Sequence, residues 1–308
     1  MYSLSRNKWI ITSAIAGIMT SSIIIVLIFS YYYNNNQTLY QHSTTNLDKF
    51  GIKEIYPTKP GGEEWFMNMQ NPTGDPRFNP QANITKNPDG SYKMMEQQVR
   101  MEVYPSTGYH EDQITTLNQK DLAAKGYMQS PNDWKNVEMT GYVKLISSLS
   151  NDQFNWYNRG GRHTNSAPCE GTAYKADVIY YSSGQTRFNK EQWFSGGYSF
   201  TSPKNVNISS IQGKWVGLKY IVYNFQQPDG TTAVRLQSWF DANADGKWIK
   251  INDFIDSGGW GNQGSYCGGA PDQLITWGGP IATFRWDNAT HVDFKNFSVR
   301  EIEPPAAP

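Results

Sequence analysis

From Trp134 to Ile302, apolar and polar residues alternate with a period of two in one segment after another. Successive side chains of a strand point to opposite faces, so this pattern serves strands with one apolar face and cannot serve a helix of period 3.6. In 137–145, Val137, Met139, Val143 and Leu145 share one face, and Glu138, Thr140, Tyr142 and Lys144 share the other. The alternation returns over 173–181, 187–194, 214–225, 233–241, 248–255, 281–287 and 292–302, and an earlier strand is expected over 99–104. Asn-Pro, Pro-Asp-Gly and Ser-Gly pairs between these runs supply the turns. A single helix is expected over 113–125, with Leu117, Leu122 and Ala123 near helical spacing and Gly126 as its stop. Long strands with one apolar and one polar-aromatic face suit two packed sheets, so the expected fold is all-β, a jelly-roll sandwich of two antiparallel sheets.

Ahead of this lies an uncharged run of 25 residues, 9–33, preceded by Arg6 and Lys8. A hydrocarbon core of about 30 Å needs roughly 20 apolar helical residues, so the run is expected to be a transmembrane helix. Basic residues sit only on its N-terminal side, which predicts a cytoplasmic N-terminus and an extracellular remainder. No small-x-small site follows the apolar run, which favours an uncleaved anchor over a signal peptide. The expected organisation is a cytoplasmic N-terminus over 1–8, an anchor over 9–33, a polar stalk over 34–60, an extracellular β-sandwich over 61–303 and a Pro/Ala-rich tail over 304–308. Sequons at Asn36, Asn83, Asn207, Asn288 and Asn296 suit an exported glycoprotein.

Residues 34–308 hold 25 of the 27 basic and all 27 acidic residues, a formal charge of −2. Without a basic stripe, nucleic acid is not an expected partner. The two cysteines, Cys169 and Cys267, are expected to form one disulfide in an oxidising compartment. Closing a loop of about 100 residues stabilises a fold by roughly 4–5 kcal/mol in the chain-entropy picture.

The densest chemistry lies in Arg159-Gly-Gly-Arg162-His163. Arg162 would neutralise a carboxylate by a two-point hydrogen bond, and His163 would abstract a neighbouring proton; the alternative is a loop tethered to Glu170 by salt bridges, with His163 only hydrogen-bonded. On the strand over 233–241, Arg235, Gln237 and Trp239 share one side and Leu236 and Phe240 the other. A guanidinium, an amide and an indole in a row suit a sugar, whose hydroxyls they bond and whose ring the indole stacks on. Lys219 and Tyr223 lie on the preceding strand. Asp241, Asn243 and Asp245, with Gly246, follow the first half of a calcium loop, so a structural calcium is expected there or else a plain Asp-Gly hairpin turn; no other cofactor is required. There is no closely spaced carboxylate set of a retaining glucanase, no Gly-x-Ser-x-Gly elbow and no His-Glu-x-x-His.

Trp215-Val-Gly-Leu-Lys-Tyr-Ile-Val-Tyr223, Arg235-Leu-Gln-Ser-Trp-Phe-Asp-Ala-Asn243 and Val292-Asp-Phe-Lys-Asn-Phe-Ser-Val-Arg300 resemble the strand layout of the concanavalin A-like jelly-roll superfamily, most of all its alginate-lyase-like branch. The chain is also similar to membrane-anchored archaeal surface proteins of unassigned role. Arg159-Gly-Gly-Arg162-His163 loosely resembles the Arg-rich strand of that lyase family and Leu218-Lys-Tyr-Ile-Val-Tyr223 its Tyr-x-Lys strand, while its Gln-x-His triplet is missing. The resemblance implies recognition of a polysaccharide, with β-elimination of a uronate polymer as its catalytic form. Arg162, His163 and Tyr223 would then be catalytic, and Arg159, Lys219, Arg235, Gln237 and Trp239 would bind substrate. A non-catalytic lectin-like or adhesive surface protein is the alternative. Convergence of Arg162, His163 and Tyr223 in one groove would favour the lyase, and their scatter the binding module.

Overall fold

The computed structural model describes residues 46–180, 184–207 and 210–305. The expected anchor and the first part of the expected stalk lie outside the described residues. Among the described residues no helix is long and apolar enough to cross a membrane.

Sixteen strands form two eight-stranded sheets, antiparallel at every described pairing. The first sheet runs β14 (Ile249–Asp256), β13 (Thr232–Asp241), β12 (Trp215–Gln226), β6 (Val137–Ser147), β16 (His291–Glu301), β4 (Tyr92–Met94) and β3 (Thr85–Lys86), with β1 (Glu64–Phe66) also on β16. The second runs β10 (Tyr198–Phe200), β9 (Gln185–Glu191), β8 (Ala173–Tyr180), β7 (Gln153–Gly160), β15 (Ile281–Asp287), β5 (Gln98–Val103) and β2 (Phe78–Pro80), with β11 (Lys204–Asn205) also on β9.

The apolar sets read from the alternation meet between the sheets. Val137, Met139, Val143 and Leu145 of β6 join Phe154, Trp156, Phe284 and Trp286 of the second sheet in one core. Aromatic rings bridge the gap: Phe297 stacks on Phe284 at 4.5 Å, Trp286 lies 5.8 Å from Phe294, and Trp65 stacks on Phe78 at 5.3 Å. Burying each such Phe stabilises by about 1.5–3 kcal/mol. Phe294 and Phe297 both face inward, which period two forbids, because the register of β16 slips between Lys295 and Ser298 around Asn296 at φ 54°. Gly141 makes room for the result: a Cβ there would lie 2.2 Å from the Phe297 ring.

The helix α1 is shorter than its expected span, Gln119–Lys125. Asn118 caps it, its Oδ1 accepting from Lys120 N at 3.0 Å and Asp121 N at 3.2 Å, and Gly126 ends it at φ 88°. The strand β7 was not among the expected ones. Its polar residues lie on both faces, since Asn155 and Asn158 are both buried, so the alternation that marks the other strands is broken there.

The polar stretch expected as a stalk up to residue 60 joins the packed unit from Asp48 onward. Ile52 is buried, Thr58 bridges to Ile302, and Ile55 and Tyr56 pack on Ile221, Tyr223 and Ile302. These contacts are made by an irregular strap, which carries no periodic signal.

Candidate functional site

The outer face of β12 and β13, expected to hold a sugar, is occupied by this strap. Beneath it Glu138 of β6 forms a buried ion cluster, taking Lys219 Nζ at 2.6 Å and Arg300 at 3.1 Å on Oε1. Its Oε2 accepts the strap's Ile55 N at 3.0 Å and Tyr56 N at 3.3 Å, while Arg300 also pairs with Glu54 at 3.1 Å. Burial alone would raise the Glu138 carboxyl, but Lys219 and Arg300 together hold it below its ordinary value. The expected binding residues are consumed by these contacts. Lys219 and Tyr223 are buried; Gln237 is buried and its Oε1 accepts from the Tyr56 hydroxyl at 3.1 Å and from Trp239 Nε1 at 3.2 Å. Tyr56 packs edge-on to Tyr223 at 5.5 Å, and Arg235 makes two 2.8 Å bonds to Asp253. The substrate-binding assignment of Lys219 and Gln237 is therefore corrected, since both are buried with partners within the chain, whereas Arg235 and Trp239 stay partly exposed beside Asp253 and Gln237.

Arg159, Arg162 and His163 part company. Arg159, at φ 73° where β7 ends, turns inward and is fully buried; it donates to the carbonyls of Lys135 and Ile275 and to Asn224 Oδ1, so it does not meet a substrate. Arg162 faces outward in a two-point pair with Glu111, and its backbone N–H donates to Glu170 Oε2 at 2.9 Å. The loop is thus held to Glu170 through the backbone rather than by the expected salt bridge, since the Arg162 guanidinium pairs with Glu111. His163 Nε2 lies 2.8 Å from Glu191 Oε1, and its ring stands edge-on to Phe194 at 4.2 Å. Tyr223 lies under the strap on the other sheet, so the three expected catalytic groups do not converge.

The Asp241 loop is organised by its own backbone. Asp241 is buried; its Oδ1 accepts from Asn243 N and Asp245 N at 3.3 and 3.1 Å, and its Oδ2 from Gly246 N at 2.7 Å. Asp245 pairs with Lys247 at 2.8 Å. These bonds are those that an Asp-Gly turn makes to its own backbone. Among the described residues no group of three or more His, Cys, Asp or Glu is arranged to hold a metal. Cys169 and Cys267 are bonded as expected, with Cα atoms 5.7 Å apart.

The second sheet carries a different outer face. Because Trp156, Ala176, Phe188 and Phe284 point into the core, their strand neighbours point out. Cross-strand pairing aligns these outward residues in rows. One runs Phe200, Asn189, Lys175, Tyr157, Thr283, Glu102; the next runs Arg187, Asp177, Asn155, Arg285, Arg100; and Tyr198 stands opposite Glu191. Asp177 binds Arg187 Nε at 2.6 Å and Asn189 Nδ2 at 2.9 Å, with Lys175 at 3.6 Å. Asp287 accepts from Arg285 at 2.8 Å and Asn155 at 2.9 Å. Lys175 also sits 4.5 Å above the Tyr198 ring and Arg187 4.2 Å above that of Phe200. Sequence reasoning missed this face. Its signal was the run of polar residues at one parity in Lys175-x-Asp177, Arg187-x-Asn189-x-Glu191 and Thr283-x-Arg285-x-Asp287.

Arg100 and Arg285 are direct cross-strand partners with guanidinium groups on the same face, an arrangement that destabilises a bare sheet. Arg285 is compensated by Asp287, whereas Arg100 makes no ion pair among the described residues and its Nε lacks a hydrogen-bond partner. Both are half-buried. Tyr157 lies within their field; burial pushes its hydroxyl up, and Arg100 and Arg285 pull it back. Burial likewise drives the Lys175 ammonium down against the pull of Asp177, and raises Tyr198, with Glu191 adding to the rise. The tyrosines therefore stay protonated at neutral pH and act as hydrogen-bond donors. Its partly exposed members, Arg100, Arg285, Tyr157, Tyr198 and Phe200, offer guanidinium groups, hydroxyls and rings, a set that can hold a hydroxyl-rich ligand bearing a carboxylate.

No protein-family model matches the chain, and no curated protein matches it. Among solved structures it is similar to an alginate lyase from Aplysia kurodai, at 8% identity and a TM-score of 0.44 over 77% of this chain and 98% of that one. A galectin-like protein of unknown function from Bacillus subtilis matches at 9% and 0.43, over 81% and 100%. A carbohydrate-binding module from Bacillus subtilis matches at 10% and 0.37, over 73% and 95%. At this similarity neither sugar specificity nor activity passes from those proteins to this chain.

Proposed function

We propose that the protein recognises an acidic polysaccharide with the outer face of its second sheet, as a cell-surface binding module. The observation that carries this reading is Arg100, a half-buried guanidinium set opposite Arg285 with no carboxylate of its own. A uronate carboxylate entering there would relieve the repulsion between the two cations and gain a charge-assisted hydrogen bond. Tyr157, which stays partly exposed, supplies a hydroxyl for the sugar, and Tyr198 and Phe200 supply rings. Export and membrane anchoring through residues 9–33 belong to the same proposal, supported by the Cys169–Cys267 bond, since disulfides persist in oxidising compartments.

Binding stands ahead of β-elimination in this reading. A lyase needs a base at the site, and burial raises both Tyr157 and Tyr198, while Arg162, His163 and Tyr223 are separated. The test is calorimetric titration with polygalacturonate and with a neutral glucan, together with ultraviolet detection of unsaturated product. Polygalacturonate should bind and stay intact, and Arg100→Ala should weaken it by about 1.5–3 kcal/mol, roughly ten- to a hundredfold. Equal binding of the neutral glucan, or no effect of Arg100→Ala, would remove the acidic-ligand reading. Unsaturated product would reinstate the lyase.

A further inference from the structure

The outer face does not stop at Glu191. Trp193 is still extended, at φ −166° and ψ 152°, so it keeps the same side as Asn189 and Glu191, one strand step of about 6.6 Å further on. Gln192 between them points the opposite way, its Nε2 donating to the Pro271 carbonyl at 2.9 Å. Tyr266 stacks on Trp193 with centroids 4.7 Å apart and planes 15° apart, and it is 67% exposed.

The pair is held rather than loosely laid down. Trp193 Nε1 donates to Gln263 Oε1 at 3.0 Å, and Gln263 Nε2 donates to the Gly196 carbonyl at 2.7 Å. A Cβ at Gly196 would lie 2.1 Å from the indole nitrogen, so glycine is what lets the ring lie flat there. Tyr266 is followed directly by Cys267, whose disulfide to Cys169 ties this loop to the segment bearing Glu170. A preorganised, exposed aromatic pair at the end of a polar face is suited to stacking on a sugar ring at little ordering cost.

We infer that Tyr266 on Trp193 is an outer subsite of the same face, and that the protein grips the interior of a polysaccharide chain rather than a single terminal sugar. This rests on the second-sheet binding reading. From Arg187 to Trp193 the face extends about 20 Å along β9 and its continuation, enough for several sugar units in line.

The experiment titrates the full chain with galacturonate oligomers of two to eight units. Tyr266→Ala should weaken the octamer by about three- to tenfold and leave the dimer unchanged, whereas Tyr266→Phe, which keeps the ring, should match wild type at every length. An unchanged octamer, or equal losses at all lengths, would overturn the subsite while leaving the binding face intact. If the wild type binds no oligomer at any length, the parent reading falls and the subsite with it. Thermal melting of both variants checks that the loop remains folded.

Discussion

The outer faces of the two sheets are built from the same kinds of residue and end in different roles. Both carry Lys, Arg, Tyr and carboxylates at alternate positions. On the first sheet the charges close on themselves: Glu138, Lys219 and Arg300 are buried together, and residues 52–58 lie across them. On the second, Asp177 and Asp287 are satisfied but Arg100 makes no ion pair among the described residues, and Tyr157, Tyr198 and Phe200 stay at least partly exposed. A row of polar residues on a sheet is thus neither a site nor a structural device by composition; the cover and the charge balance decide which.

If the first face is structural, breaking its cluster should give the largest effect of all and fall on stability. Glu138→Ala leaves Lys219 and Arg300 buried without their shared anion and should cost about 3–5 kcal/mol, read from the denaturant midpoint. A loss below about 1 kcal/mol would mean that the strap does not seal the cluster.

Trp239→Ala sharpens the contrast. Stripping the indole that packs against Ile221, Tyr223 and Ile302 should cost about 1–3 kcal/mol of stability and leave glycan affinity at the wild-type value. Weakened binding with unchanged melting would return the ligand to the first face.

A smaller effect lies in the acid limb. Because Lys219 and Arg300 hold the Glu138 carboxyl below its ordinary range, its contribution is complete above the unfolded value of about 4.3 and is lost as pH falls through the lower folded value. Glu138→Gln should flatten that part of the stability profile, measured by melting in a series of acidic buffers. An acid limb identical to wild type would place the titrating group elsewhere.

The strand-bearing part of the fold was legible in the sequence because period-two alternation is a direct consequence of sheet geometry; 281–287, for example, was read to the residue. The disulfide was legible too, from two cysteines in a chain expected to be exported. The site was not. Arg235, Gln237 and Trp239 have the right chemistry for a sugar, but nothing periodic in 48–60 announces that Tyr56 of this segment will bond Gln237 and pack on Tyr223. Arg159 looked like a ligand-facing residue until its positive φ turned it into the interior. On the second sheet the polar parity was visible in Arg187, Asn189 and Glu191, yet the meaning of Arg100 depends on which strand it pairs with, and pairing between β5 and β15 spans nearly two hundred residues of sequence.

Which face meets the ligand is tested most directly by side-chain oxidative footprinting of the wild-type protein with and without a galacturonate octamer. The account predicts that Tyr157, Tyr198 and Phe200 lose reactivity when the octamer binds, while Trp239 and Phe225 keep theirs. Protection of Trp239 and Phe225 with Tyr157, Tyr198 and Phe200 unchanged would contradict it.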